Sequence, residues 1–265
     1  MSGRVSIAID GEGIADVRLN RPEKMNACDL EMIEALSAAG SELAKDRSLR
    51  AVVLSGEGKA FCAGLDVALF SKLDRSVEEL LEIKPESPAN FVQRAAWVWT
   101  ALPVPVIAAV HGVAFGAGFQ IALAADIRFV APDAKLSAME INWGLIPDMT
   151  GAVSLRRLVG RDVAKELVFT GRTVSGVEAR ELGLATRVSE TPRDEAFELA
   201  REMARRSPDA IRAAKRLLGE PDEVAVRDCF ELEARLQRAL IGGPNQLEAI
   251  RANLEQRAPH FEDPK

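Results

Sequence analysis

Three glycines within seven residues, Gly112, Gly116 and Gly118, close off a short apolar run and open a helix-like stretch, and this break constrains the fold more than any other feature. The run Val104 to Val110 is short and free of charge, which predicts a strand buried on both faces. Gly116 to Ala125 then reads as a helix and Asp126 to Val130 as another strand. A tight glycine turn between a buried strand and a helix, with a further strand behind, is the signature of an α/β core.

The same order runs upstream. Val5 to Asp10 and Ile14 to Asn20 read as two strands around Gly11-Glu12-Gly13, a hairpin. Asp29 to Lys45 carries Leu30, Ile33, Leu36 and Leu43 at helical spacing, and Ala51 to Leu54 reads as a buried strand ended by Ser55-Gly56. Ser71 to Asn90 is rich in charge and holds Pro85 and Pro88, so a mobile segment with one short helix is expected there, placed to cover a site. Phe91 to Leu102 returns to helical spacing. Beyond about residue 190 only helices are predicted. Thr191-Pro192 and Ser207-Pro208 each place a hydroxyl N-cap before proline at the first helical position. Glu223 to Leu240 carries Ala225, Cys229, Leu232, Leu236 and Ala239 on one face, and the last helix carries Leu247, Ile250 and Leu254.

Composition narrows the functions. A chain of 265 residues with 48% hydrophobic and 28% charged residues buries a substantial core. Its net charge of −6 argues against binding duplex DNA through bulk electrostatics. No stretch approaches the ~20 continuous apolar residues of a membrane helix, and the first residues lack the apolar core of a signal peptide, so a cytoplasmic location with no membrane partner is expected. Cys28, Cys62 and Cys229 are far apart in sequence, which suits neither a disulfide framework nor a thiolate metal site. Gly-x-Ser-x-Gly, His-Glu-x-x-His and the Gly-x-x-x-x-Gly-Lys phosphate loop are all missing. Ile121 stands where a dinucleotide-binding turn needs its third glycine.

Gly58-Lys59-Ala60-Phe61-Cys62-Ala63-Gly64-Leu65-Asp66, Gly112 to Gln120, and Ser137-Ala138-Met139-Glu140-Ile141-Asn142-Trp143-Gly144-Leu145-Ile146-Pro147-Asp148 together resemble the crotonase superfamily, the enoyl-CoA hydratases and isomerases that act on acyl-CoA thioesters. The resemblance spans nearly the whole chain. It implies an α/β fold: a crotonase-like spiral of β-β-α repeats over residues 1–190, holding the acyl-CoA site, and a C-terminal helical trimerisation region over 191–265. It also implies a homotrimer or a dimer of trimers. Coenzyme A would enter as part of the substrate, with no separate cofactor and no metal.

The chemistry implied is that of an enolate. Removing a proton next to a thioester puts negative charge on the carbonyl oxygen, and two backbone N–H groups aimed at that oxygen stabilise it by roughly 3 kcal/mol each. By resemblance these belong to Leu65, after Ala63-Gly64, and to Ala117, at the start of a helix whose dipole favours negative charge. Glu140 takes the position of the family's catalytic acid, and its neighbours Met139, Ile141 and Trp143 predict an apolar setting that raises its pKa. Gln120 stands where family hydratases carry a second glutamate; a carboxamide neither takes nor gives the proton that adding water requires. Asp148 stands where hydratases have glycine and dienoyl-CoA isomerases have an aspartate, so it pairs with Glu140 or, in the alternative, caps the helix after it. For CoA, Lys24 and Ala27 in Arg21 to Ala27, with Ala63, Leu65 and Asp66, match segments that lie along the nucleotide and pantetheine, and Phe261 reaches toward a neighbouring subunit's ligand. Arg205, Arg206, Arg212, Lys215 and Arg216, with acids around them, read as a solvated basic face. His111 is structural, and Trp97 and Trp99 serve packing or the pocket wall.

The expectation is an enoyl-CoA isomerase of fatty acid metabolism that shifts a double bond. The alternatives are a hydratase adding water to a trans-2-enoyl-CoA, a family member that binds acyl-CoA without turnover, and hydrolysis or decarboxylation on the same scaffold.

Overall fold

The computed structural model describes residues 3–69, 76–85, 87–219 and 223–257. Phe261, residues 71–75 and 86 of the expected cover segment, and the side chains of Ala225, Cys229, Leu232 and Leu236 lie outside what is described.

The chain opens with the expected hairpin. Strand β1 (Val5–Ile9) pairs antiparallel with β2 (Ile14–Leu19), and the Asp10 carboxylate holds the turn by accepting from the Glu12 and Ile14 N–H groups. Helix α1 (Leu30–Leu43) starts on Asp29, whose side chain accepts the Met32 N–H. Next come β3 (Ala51–Gly56), the short helix α2 (Val77–Leu81), α3 (Phe91–Ala101) and β4 (Val106–Val110). The glycine turn yields β5 (Val113–Phe115) and α4 (Ala117–Leu123), followed by β6 (Ile127–Val130) and β7 (Lys135–Ser137). A 3-10 turn covers Met139–Trp143. Helices α5 (Gly151–Leu158), α6 (Arg161–Thr170) and α7 (Gly176–Leu182) alternate with the two-residue strands β8 (Val174–Ser175) and β9 (Arg187–Val188).

The sheet order explains the uninterrupted apolar strands. A six-stranded sheet runs β1-β2-β3-β4-β6-β9, parallel from β2 onward. Val52, Leu54, Val106, Ala108 and Val110 point to one side, into the main core with α1, α3 and α4. Ala51, Val53, Ile107 and Ala109 point to the other, where Ala196 and Ala200 of α8 (Pro192–Ala204) cover them. Alternate residues therefore serve two cores, which keeps β3 and β4 apolar apart from the buried Ser55, while Arg128 of β6 is buried on bonds to the Leu184 and Ala125 carbonyls. A smaller sheet, β5-β7-β8, carries the glycine turn away from this layer.

From residue 192 the described elements are helical: α8, α9 (Pro208–Gly219), α10 (Glu223–Leu240) and α11 (Pro244–Glu255). Ser207 caps α9 as expected, its hydroxyl accepting the Ala210 N–H. Thr191 does not cap α8. Instead the Ser189 hydroxyl accepts the Thr191 N–H and donates to Glu195, so the start of α8 is held from one residue pair further back. On α11 the buried residues are Gln246, Ala249 and Ala252, while Leu247 and Leu254 are exposed. The expected face of Leu247, Ile250 and Leu254 is rotated outward because small residues allow a closer seat on the Met139–Trp143 turn. The basic run is also not wholly solvated. Lys215 turns inward, 2.7 Å from Asp126 and donating to the Val104 and Trp99 carbonyls, and Arg212 donates to the Leu49 carbonyl. Both satisfy backbone oxygens at the end of α3 and just before β3 and β4. His111 bonds the Gly58 carbonyl, and Trp97 and Trp99 both go to packing, Trp97 edge-on to Phe230.

Candidate active site

The site begins where two backbone segments are laced side by side. Cys62 N–H donates to the Val113 carbonyl and Phe115 N–H to the Cys62 carbonyl, so residues 61–63 run alongside β5. On its other edge the same segment meets residues 25–28: Cys28 N–H donates to the Gly64 carbonyl and Asp66 N–H to the Cys28 carbonyl. The Gly64 carbonyl and the Leu65 N–H belong to one trans peptide group and point opposite ways, so the Leu65 N–H is directed away from residue 28. Among the described residues neither it nor the Ala117 N–H has an acceptor. The Ala117 donor is free because it opens a helix, where the first N–H groups have no partner four residues back.

Glycine is required for this approach. Gly64 has φ +96, and a Cβ there would meet the Phe115 carbonyl oxygen at 2.8 Å and lie 3.8 Å from the Ala117 nitrogen. Gly116 has φ +48, and a Cβ there would stand 3.3 Å from Glu140 Oε1. The two turns thus face each other across a gap that opens on the acid, with no side chain between.

Glu140 sits on the Met139–Trp143 turn, 9% exposed. Its Oε1 accepts from Gln120 Nε2 at 2.6 Å, while Oε2 has no partner among the described residues. Burial pushes its carboxyl up to about 7, the Asp148 charge adds to the rise, and hydrogen bonds from its own N–H and from Gln120 oppose it. Asp148 lines the same pocket and is pushed up to about 6, again mainly by burial, with Gln237 holding it down. Asp148 does not cap α5. Thr150 holds the N-cap position in a left-handed conformation with φ 73, and the oxygen that meets the α5 terminus belongs to Gln120. Gln120, 1% exposed, accepts through Oε1 from Met149 N–H at 2.7 Å and from Gly151 N–H at 2.9 Å. Those two donors fix the amide so that its NH₂ must face Glu140.

The pocket is otherwise apolar. Leu30 and Ile33 of α1, Leu80 and Leu81 of α2, Leu145, Met149 and Ile241 line it. Ala63, Leu65, Ala117, Gln120, Glu140 and Asp148 line it together. Lys24, Ala27 and Asp66 do not, but they border the loop pair that carries Leu65. Arg21 binds Asp66 at 2.7 Å and the Ala27 carbonyl at 3.0 Å. Asn26, buried and left-handed with φ 58, donates to the Glu57 and Ala60 carbonyls and locks this corner. Sequence reasoning missed Gln237, whose Oε1 accepts the Ile146 N–H at 3.3 Å, and Glu233 one turn before it, 4% exposed and pushed up to about 8, mainly by burial. Both sit in a helix with no motif, and the one available signal was a Glu and a Gln at i, i+4 amid apolar residues. Among the described residues no group of three His, Cys, Asp or Glu is placed to hold a metal, and no helix is long and apolar enough to cross a membrane.

Paired backbone donors on one side of an apolar cavity and buried carboxyls on the other define a class: proteins that move protons at carbon beside a polarised carbonyl. The comparisons with known proteins give the family. The sequence profile of the enoyl-CoA hydratase/isomerase family matches residues 10–264. YngF of Bacillus subtilis (strain 168) is 35% identical over 97% of this chain and 97% of its own. The mouse mitochondrial methylglutaconyl-CoA hydratase is 32% identical over 95% of this chain and 80% of its own. The crystal structure of an enoyl-CoA hydratase/isomerase from Pseudoalteromonas atlantica T6c superposes with a TM-score of 0.86 at 26% identity, covering 98% of this chain and all of that one. The chain belongs to the enoyl-CoA hydratase/isomerase family, and its mixed α/β architecture with C-terminal helices is the crotonase fold. It is a crotonase-type acyl-CoA enzyme.

Proposed function

We propose that this enzyme shifts a double bond within an enoyl-CoA, converting a 3-enoyl to a 2-enoyl thioester. The observation that carries the reading is the state of Gln120: both polar ends of its amide are committed, Nε2 to Glu140 and Oε1 to Met149 and Gly151. Position 120 therefore offers no second acid to hold and protonate water. Glu140 Oε2 is the unpartnered base. It takes the proton from C2, the electron pair passes to the thioester oxygen in conjugation with the C3=C4 bond, and the Leu65 and Ala117 N–H groups stabilise the resulting dienolate. Glu140 then returns the proton to C4, leaving C2=C3. No net proton is consumed.

The CoA part lies along Lys24, Ala27, Ala63, Leu65 and Asp66, with Lys24, exposed beside the loop pair, meeting phosphate. A homotrimer, or a pair of trimers, is supported by apolar side chains left exposed on the single chain: Phe169, Leu247 and Leu254. Fatty acid metabolism is the setting that such a substrate implies.

A second reading, hydration, is favoured by Asp148, which gives the pocket two carboxyls after all, and by relatives named as hydratases. The test is to incubate the enzyme separately with a medium-chain 3-enoyl-CoA and a trans-2-enoyl-CoA, following conjugated thioester absorbance and product mass. Absorbance gained from the first without change in mass supports isomerisation. Absorbance lost from the second with one water added overturns it in favour of hydration.

A further inference from the structure

The two backbone donors of the site are supported differently. The Ala117 N–H opens α4, whereas the Leu65 N–H has no helix behind it. Behind Leu65 stands a line of hydrogen bonds that begins on a charge. Arg21 Nη1 donates to the Ala27 carbonyl at 3.0 Å. The Cys28 N–H, at the other end of that peptide group, donates to the Gly64 carbonyl at 2.7 Å. The Leu65 N–H, at the other end of this second peptide group, has no acceptor among the described residues. Both peptide groups are trans, so in each the oxygen and the hydrogen point opposite ways, and the line runs unbroken from guanidinium to pocket.

The guanidinium is fixed in place. The same Nη1 donates to Asp66 Oδ2 at 2.7 Å, Asp29 stands 3.6 Å away, and the Arg21 side chain is only 12% exposed. At its root the Arg21 N–H donates to Asn26 Oδ1 at 2.8 Å, and the Arg21 carbonyl accepts the Asn26 N–H at 2.9 Å. Asp66 is itself held, its N–H on the Cys28 carbonyl and its Oδ1 on the Ala68 N–H. These ties flank Gly64, which at φ +96 is the residue least able to hold a peptide plane by itself.

We propose that Arg21 is a positioning residue for the Leu65 donor: its charge polarises the Ala27–Cys28 and Gly64–Leu65 peptide groups in series, making the Leu65 N–H a stronger and better aimed donor. A hydrogen bond accepted at a carbonyl draws electrons from the N–H of the same peptide group, and each link strengthens the next by roughly 10–30%. A charged donor at the head gives the largest push, since such bonds are about twice as strong as neutral ones. This rests on the reading of the Leu65 N–H as a donor to the thioester oxygen, whichever way the double bond moves.

The test is difference infrared spectroscopy of the intact enzyme with a medium-chain saturated acyl-CoA, labelled with ¹³C at the thioester carbonyl and holding no double bond to move. Binding to the parent should shift the carbonyl band to lower wavenumber. Arg21→Met should give back about a quarter of that shift. With 3-enoyl-CoA it should lower kcat about tenfold, a fraction of the cost of losing a donor outright, and leave KM within twofold of the parent. Arg21→Lys, which keeps the charge, should lie closer to the parent on both measures. Adding Asp66→Asn to Arg21→Met removes the carboxylate left without its cation; this double variant serves where the single one does not fold, and should show the same loss of shift. A band at the parent position in either folded variant overturns the assignment. So does a raised KM with kcat kept, which would make Arg21 a contact of the CoA phosphates. A parent band unmoved on binding removes the Leu65 donor and the assignment with it. A parent that shifts the band yet leaves 3-enoyl-CoA unchanged refutes the double-bond reaction alone, and the band in the variants still decides the role of Arg21.

Discussion

One wall of the pocket is built from residues 63–65, 116–120 and 139–149, within the segments that wind through the two sheets; the other is closed by α2 and α10, which pack on that framework from outside. In the first wall the groups are backbone N–H donors on segments held by backbone bonds to neighbouring strands, and carboxyls, of which Glu140 is held by Gln120. In the second the groups are apolar side chains on helix faces, with Gln237 as the buried polar exception and Glu233 buried one turn behind it. The difference teaches a division of labour. Chemistry sits where the backbone itself is pinned, because a donor displaced by about 1 Å loses its effect. Shape selection sits where one side chain can be exchanged for another of similar size at modest cost.

The hardest blow to the first wall should come from Glu140→Gln, which removes the base while keeping the bond to Gln120. A fall in kcat of about 10³-fold is expected, with CoA-ligand affinity within a few fold, measured by turnover and calorimetry. Unchanged turnover would take Glu140 out of the mechanism. Gly64→Ala comes next: a Cβ 2.8 Å from the Phe115 oxygen must push the Leu65 donor out of line. The expected cost is about 10²-fold in kcat with Tm lowered as well. The parent enzyme's kcat should rise with pH through about 7, as Glu140 loses its proton and becomes a base.

The second wall should respond differently. Ile241→Ala or Leu80→Ala should alter the ratio of kcat/KM between short and long acyl chains by about tenfold while leaving the pH profile in place. A shifted profile would dissolve the distinction between the walls. Smallest is the effect of Glu233→Gln, read in stability. Glu233 is pushed up to about 8 in the folded chain from an ordinary 4.5, so its contribution is fully present below about 4.5 and is lost as pH rises through about 8. The parent Tm should therefore fall across that window and the variant's should fall less.

The sequence was legible along the same line. Gly64, Gly116 to Gly118 and Glu140 could be read because backbone turns and lone acids leave residue types that little else explains. Strands β3 and β4 were legible because both faces of the sheet are buried there, so nearly every position is apolar. Gln120 was readable as a departure from a pattern, but its second role, accepting the Met149 and Gly151 N–H groups, was not. That role depends on a turn about 30 residues away in the chain, and Asp148 was left with an alternative as helix cap that Gln120 and Thr150 in fact preclude. Gln237 and Glu233 were silent, since a polar residue on an amphipathic helix reads as a solvated face until the tertiary packing is known. Lys215 misled for the same reason.

The lacing of residues 62–66 between 25–28 and β5 bears on how such a site survives random substitution. In the proposed mechanism, what it offers the substrate at Leu65 and Ala117 is the peptide group, which every residue except proline supplies. A mutational scan that swaps side chains would score both positions as permissive to small apolar replacements and overlook the donors that the proposed reaction uses. On that reading the acids beside these donors could be lost, gained or turned into amides over generations without the donors having to be rebuilt.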